Sequence, residues 1–351
     1  MADDDLLTIN LVGDLYFTRE NPETIFDYCL ESLRSADVII GNLEVPLADR
    51  GSPSTKWVGS KNMRSRPHAI QALKAAGFTA VSLANNHMMD WGGEALEQTI
   101  EILDGAGIGH AGAGADRAAA FAPQLIEQRG IRIGLLAFTS VFWPEGYGAG
   151  DNRPGMATVK VNTTYTEVPY GPEQPATPAV VKTEIVEQDL ADALNAIREL
   201  RKTVDIVIVS WHWGVAHGYG KLVEYQVELG HAAIDAGADL VFGHHPHQPQ
   251  GIEVYKGRLI AYSLSNAAWD APKADRQAMI IRCRVGKAGV KDVAVIPTWA
   301  TSRMEPQALS ATSWEGAAVI ARLTELSNRF GTCFVPRDDL VMVASPTVVG
   351  S

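Results

Sequence analysis

Short apolar runs alternate with longer stretches of helical period along most of the chain. That is the pattern of an α/β protein whose strands are covered on both faces. Residues 6–12, 37–40, 80–83, 205–209 and 239–242 are nearly continuous runs rich in Val, Ile and Leu, and read as buried strands. Residues 22–35, 67–77, 94–106, 184–203 and 222–236 read as helices. The 184–203 stretch is the longest, with Val186, Leu190, Ala193, Leu194, Ile197 and Leu200 at helical spacing. Residues 124–128 and 131–139 form a hairpin turned at Arg129-Gly130, and 251–255 and 258–262 a second turned at Lys256-Gly257. Two further strands (279–285, 290–296), a helix (314–330) and a weakly patterned tail complete the chain. Residues 143–183 break the rhythm: they are rich in Pro, Gly, Tyr and Thr without a sustained period, which predicts a lid or binding loop. The expected organisation is a catalytic domain over 1–300 carrying 143–183 as an insertion, with 301–351 packed on the same domain.

Open α/β sheets deliver their ligands where strands end. Here one strand after another stops at a residue able to bind metal. Asp14 follows Gly13, Asn42 and Glu44 follow Gly41, and residues 80–83 lead to Asn86 and His87 with Asp90 close behind. Residues 205–209 lead to His212, flanked by Trp211 and Trp213, with His217 further on. Residues 239–242 run into Gly243-His244-His245-Pro246-His247, three imidazoles within four positions. Carboxylate, amide oxygen and neutral imidazole make a mixed ligand set suited to Zn, Mn, Fe or Ni, or to Ca if oxygens dominate. Whether Glu44 or His244 faces such a site is open in the sequence. His110 and His231 read as structural.

Composition narrows the function. The 351 residues carry a net charge of −11, and no basic face is evident, which argues against nucleic acid as a partner. Cys29, Cys283 and Cys333 are too few and too scattered for a disulfide framework, which suggests a reducing compartment. No signal-peptide pattern and no transmembrane-length apolar run occurs, so a cytoplasmic protein without a membrane anchor is expected. The irregular 46–66 stretch concentrates positive charge in Lys56, Lys61, Arg64 and Arg66. Lys56, Lys61 and Arg64 are candidates to receive a carboxylate-bearing substrate. Trp57, Trp143, Trp211, Trp213 and Tyr219 are candidates to contact a peptide or sugar, and His217 joins the candidate substrate-binding set.

Taken in order, Gly13-Asp14, Asn42-Leu43-Glu44, Asn85-Asn86-His87 with Asp90 and Gly92, His212-Trp213-Gly214, Gly243-His244-His245-Pro246-His247 and Ser263-Leu264-Ser265-Asn266 carry a resemblance. The chain resembles the CapA family of capsule and poly-γ-glutamate synthesis proteins, within the calcineurin-like metallophosphoesterase superfamily. The resemblance implies a four-layer α/β/β/α sandwich with a metal site at one edge. It makes Asp14, Asn86, His212, His245 and His247 metal ligands and His87 a proton donor. Two positions depart from the superfamily pattern: Tyr16 stands where a histidine ligand is usual, and Asn42 where a bridging aspartate is usual, with Glu44 the nearest carboxylate. The candidate ligands are therefore Asp14, Glu44, Asn86, His212, His245 and His247, for one or two divalent ions. The candidate catalytic set is Asp14, His87, Asp90 and His247.

These residues point to a metal-dependent hydrolase acting on an amide of a peptide-like or γ-glutamyl polymer. Three alternatives stay open at this stage. They are a peptide epimerase using His and Asp as acid and base, a noncatalytic capsule-polymer assembly factor, and a phosphodiesterase. Oligomeric state is not legible.

Overall fold

A computed structural model describes residues 6–56, 61–168, 171–174, 176–216, 218, 220–271, 275–337 and 340–344. It is a mixed α/β protein built on two large sheets, with seven α-helices among the described residues. The first sheet has ten strands. Leu7–Tyr16 lies at its centre, parallel to Val38–Leu43 on one side and antiparallel to Gln277–Gly286 on the other. The second sheet has six, with Ile131–Thr139, Ile206–His212 and Leu240–His244 running parallel through its middle.

Period-two alternation along these strands divides the core. Ile9, Leu11, Val38 and Ile40 of the first sheet pack with Ile133, Leu135, Ile206 and Ile208 of the second in one buried cluster. The intervening residues face away. Val12, Leu15, Ile39 and Leu43 meet Leu73 of helix Ile70–Ala76 and Leu96 and Leu103 of helix Gly92–Ala106. Leu136, Val207 and Val209 meet Ile197 of helix Glu187–Arg201 and Leu229 of helix Glu224–Ala236. Because both faces of the central strands are buried, they carry continuous apolar runs instead of alternating sequences.

Two segments differ from the expectation. Residues 22–35 are not one helix but a 3-10 turn, Pro22–Thr24, and a short helix, Leu30–Arg34, separated at Cys29, whose φ of −134° is not helical. Residues 143–183 are not without regular structure: Val161–Thr166 and Val180–Ile185 form a two-stranded antiparallel sheet. Both faces of that hairpin are largely exposed, with Tyr165 72% accessible, so no alternation marked it in the sequence. The end of the chain adds strands Cys333–Arg337 and Leu340–Ala344 to the first sheet.

The central strand is bent on purpose at its carboxyl end. Leu11 stands opposite Ile40 and Asp14 opposite Asn42, three residues against two, which is a β-bulge. Unbroken alternation would put Asp14 on the helix-facing side with Asn10 and Val12. The extra residue turns it to the side that faces the second sheet.

Candidate metal centre

The chain crosses between the sheets at this point. After strand Arg258–Ala261 of the second sheet, residues 262–265 lead into Asn266–Trp269, which pairs with the first strand. The Asp14 N–H donates to the Ser265 carbonyl at 2.9 Å. A Cβ on Gly13 would lie 1.8 Å from that same oxygen, so the close approach admits only glycine. His245, His247 and Ser265 all hold positive φ, at 93°, 54° and 65°. Backbone strain of this kind in three non-glycine residues costs on the order of 1 kcal/mol each. It lets the turn after Leu240–His244 aim its imidazoles back at Asp14.

Asp14, Glu44, His212, His245 and His247 converge. All are buried, none more than 9% accessible. Ligand-capable atoms of Asp14, Glu44 and His247 lie within 4.8 Å of one another, and so do those of Glu44, His212 and His245. Glu44 belongs to both groups. Its Oε1 sits 3.5 Å from His247 Nε2 and 3.7 Å from His212 Nε2, and has no hydrogen-bond donor. A buried carboxylate oxygen left in this way costs 1 kcal/mol or more by the usual ~1–3 kcal/mol measure, unless a cation meets it.

Neighbouring amides hold the candidate ligands in place. Asn42 donates its Nδ2–H to Asp14 Oδ1 at 2.9 Å, with Glu44 Oε2 at 3.4 Å. Carboxylates accept only, so the amide nitrogen must face them, and Asn42 acts as a clamp on both acids. Its Oδ1 accepts from Asn85 Nδ2 at 3.2 Å. His212 Nε2 lies 2.8 Å from Asn86 Oδ1, and His247 Nδ1 lies 2.9 Å from Asn266 Oδ1. His244 is fully buried beside Asp14, its Nδ1 3.0 Å from Oδ1 but not aligned as a hydrogen bond.

Electrostatics separate the two acids. Burial opposes ionisation of Asp14, but the His244 and His247 rings outweigh it and hold this carboxyl well below its ordinary value. Glu44 is pushed well above its ordinary value by burial first and then by the Asp14 charge. His212 is pulled well below by burial and by His245. Two adjacent buried acids and three imidazoles gather nitrogen and oxygen donors within 4.8 Å of one another in each group. The donor set fits a divalent cation.

The family model described as bacterial capsule synthesis protein PGA_cap matches residues 8–271, which includes every one of these candidate ligands. The chain belongs to the PGA_cap family. An uncharacterized protein of Sinorhizobium fredii is 32% identical over 76% of this chain and 67% of its own length. The PGA biosynthesis protein CapA of Bacillus subtilis is 28% identical over 93% of this chain and 80% of its own. A probable polyglutamine synthesis accessory protein of Mycobacterium tuberculosis is 33% identical over 67% and 56%. No helix among the described residues is long and apolar enough to cross a membrane.

The remaining expected residues of this PGA_cap chain separate into groups. Asn86 reaches the centre through His212. His87 and Asp90 form a pair, with His87 Nδ1 at 2.8 Å from Asp90 Oδ2. Asp90 is wholly buried and also accepts from the Met63 N–H and the Tyr147 hydroxyl. Lys56 does not present its charge to solvent: its side chain is 4% accessible and its ammonium is ion-paired with Asp90. Arg64 stacks on Trp91, 3.6 Å from the ring, and Lys61 is exposed. Trp213 is not available to a substrate. It is fully buried, stacked on Trp211, and donates its indole N–H to the Tyr262 carbonyl at 2.7 Å. Burial of a large ring beside a site motif is packing. Trp57, His217 and Tyr219 lie outside the described residues. Sequence reasoning assigned no role to Asn266, which orients His247, or to Tyr147. The only sequence signal for Asn266 was its place at the end of the Ser263-Leu264-Ser265 motif.

Proposed function

We propose that this chain is a metal-dependent hydrolase that cleaves an amide of a peptide-like or γ-glutamyl polymer, on a four-layer calcineurin-like sandwich. The sharing of Glu44 between the two buried ligand groups carries the reading. Where the superfamily has a bridging aspartate this chain has Asn42, and the carboxylate two residues on would serve both ions, with Asn42 donating to it. Asp14, Glu44 and His247 would hold one ion. Glu44, His212 and His245, with Asn86 Oδ1 beside them, would hold a second. Bound there, such ions would polarise a carbonyl and lower the pKa of water.

The chain's own groups do the rest. Asp90 can only accept, so His87 Nδ1 donates to it, which leaves His87 Nε2 to carry a proton to the departing amine. Lys61 and Arg64, on the 61–66 stretch whose Met63 N–H bonds Asp90, would meet substrate carboxylates.

The test is metal content per chain by mass spectrometry on wild type, Asp14→Ala and His245→Ala, followed by amine release from poly-γ-glutamate and hydrolysis of an aryl phosphate in parallel. Up to two equivalents in wild type, reduced in both variants, with amine release that depends on the metal, is the expected result. A wild type that binds no Zn, Mn or Ca overturns the proposal. The relative named as an accessory protein favours a second reading, a noncatalytic role in polymer synthesis. Full support of polymer production by Asp14→Ala and His247→Ala would establish that reading instead.

A further inference from the structure

Arg282 and Arg284 lie on strand Gln277–Gly286 facing away from the core, since Ile281 and Cys283 between and beside them point into the cluster shared by the sheets. Cross-strand pairing puts Asn10, Arg282, Ala294 and Met342 in one row over four strands. A cavity of about 460 Å3 lies over that row, lined by Arg282, Arg284, Arg337, Ala294, Leu340 and Met342 together with Thr8, Ser35 and Asp292, whose carboxylate is ion-paired with Arg284. A smaller one of about 240 Å3 adjoins it and shares Arg282 and Leu340. The row crosses the first strand at Asn10, four residues and roughly 13 Å before Asp14, so this cavity is apart from the metal centre.

Arg282 is unusual in its partners. Its Nε donates to Asn10 Oδ1 at 3.0 Å, and its Nη2 donates to the Ser32 carbonyl at 2.5 Å and Ser35 Oγ at 2.8 Å. All three acceptors are neutral. Arg19, Arg201 and Arg284 by contrast each hold a carboxylate. Burial alone pulls Arg282 below its ordinary value, whereas Asp270 and Glu305 outweigh burial at Arg19 and raise it. A guanidinium remains charged at any working pH, so this one is a half-buried positive charge without a counter-ion among the described residues. Three fixed donors orient its plane, and the two N–H groups of Nη1 remain for a ligand.

We infer that this cavity is a second binding site, for a small molecule that presents a carboxylate or phosphate group to Arg282 and Arg337 and rests its carbon skeleton on Ala294, Leu340 and Met342. The volume is in the range of small-molecule pockets and exceeds that of a bare ion. The site does not depend on the metal centre. In a protein of net charge −11, the long-range field repels such a ligand, so the binding is local to the arginines.

Isothermal titration of the full chain with glutarate and with inorganic phosphate, at ionic strength fixed by chloride, tests this. Saturable binding of at least one probe is expected, weakened tenfold or more by Arg282→Gln. Met342→Glu supplies a carboxylate from the protein itself. It should abolish binding and raise the melting temperature, and it keeps the test decisive if Arg282→Gln fails to fold. Glutarate alone identifies a carboxylate ligand, phosphate alone a phosphate ligand, and either supports the site. Absence of saturable binding by both probes, or unchanged affinity in Met342→Glu, overturns it. Metal content should be unaltered in both variants.

Discussion

Glu44→Gln keeps the shape of the side chain and removes one of two buried acids, so it separates metal binding from the electrostatic cost of the empty site. Without metal, Glu44 is destabilising at neutral pH, because burial and Asp14 oppose its charge. The sign follows from linkage. A carboxyl raised in the folded state holds its proton longer than in the unfolded chain, so the penalty is absent below the ordinary value of 4.5 and grows as pH rises above it. Relieving one uncompensated buried charge is worth on the order of 1–3 kcal/mol. For 351 residues the melting entropy is about 0.7 kcal/mol/K, so 1 kcal/mol moves the midpoint by roughly 1.4 °C. The variant in chelator should therefore melt about 1–4 °C above wild type at pH 8, and the difference should fade toward pH 4.5. Metal at about 100 times its dissociation constant adds roughly 2.7 kcal/mol, or about 4 °C, to wild type. It should add much less to the variant. Calorimetric melts with chelator and with excess Mn or Zn read both effects. A variant less stable than wild type in chelator, yet stabilised equally by metal, would refute the assignment of Glu44 as the shared ligand.

Other expectations follow from single contacts. Gly13→Ala forces its methyl against the Ser265 carbonyl, so it should lower both stability and metal content, read by melting and mass spectrometry on the same sample. Lys56→Met leaves Asp90 buried without its ammonium and should cost about 3–5 kcal/mol in urea unfolding. Trp213→Ala removes a fully buried ring and should cost about 3–5 kcal/mol while leaving metal per folded chain unchanged. A loss of metal in proportion to the loss of stability there would restore a direct role for Trp213 at the site.

The sequence announced the strands through their apolar runs, and hairpin 124–139 appears with both strands at the expected bounds. It also placed a ligand-capable residue at each strand end, since local propensity and periodicity are properties of short segments. The hairpin within 143–183 escaped because it buries neither face, and Trp213 was misread because a ring's burial depends on distant partners such as Tyr262.

What the chain determined alone was the inventory: Asp14, Glu44, Asn86, His212, His245 and His247 each lie near or just past the carboxyl end of a buried strand, in an order that carries the family. What only the folded molecule decided was which of them meet. The bulge between Leu11 and Asp14 reverses the side on which the aspartate projects, and no period in the sequence contains it. The crossing at residues 262–266 brings Ser265 and Asn266 beside Asp14 of the first sheet and beside His247, which follows a strand of the second. Spacing along a strand fixes a face, but a ligand set is a matter of distances between strands, and those come from long-range packing.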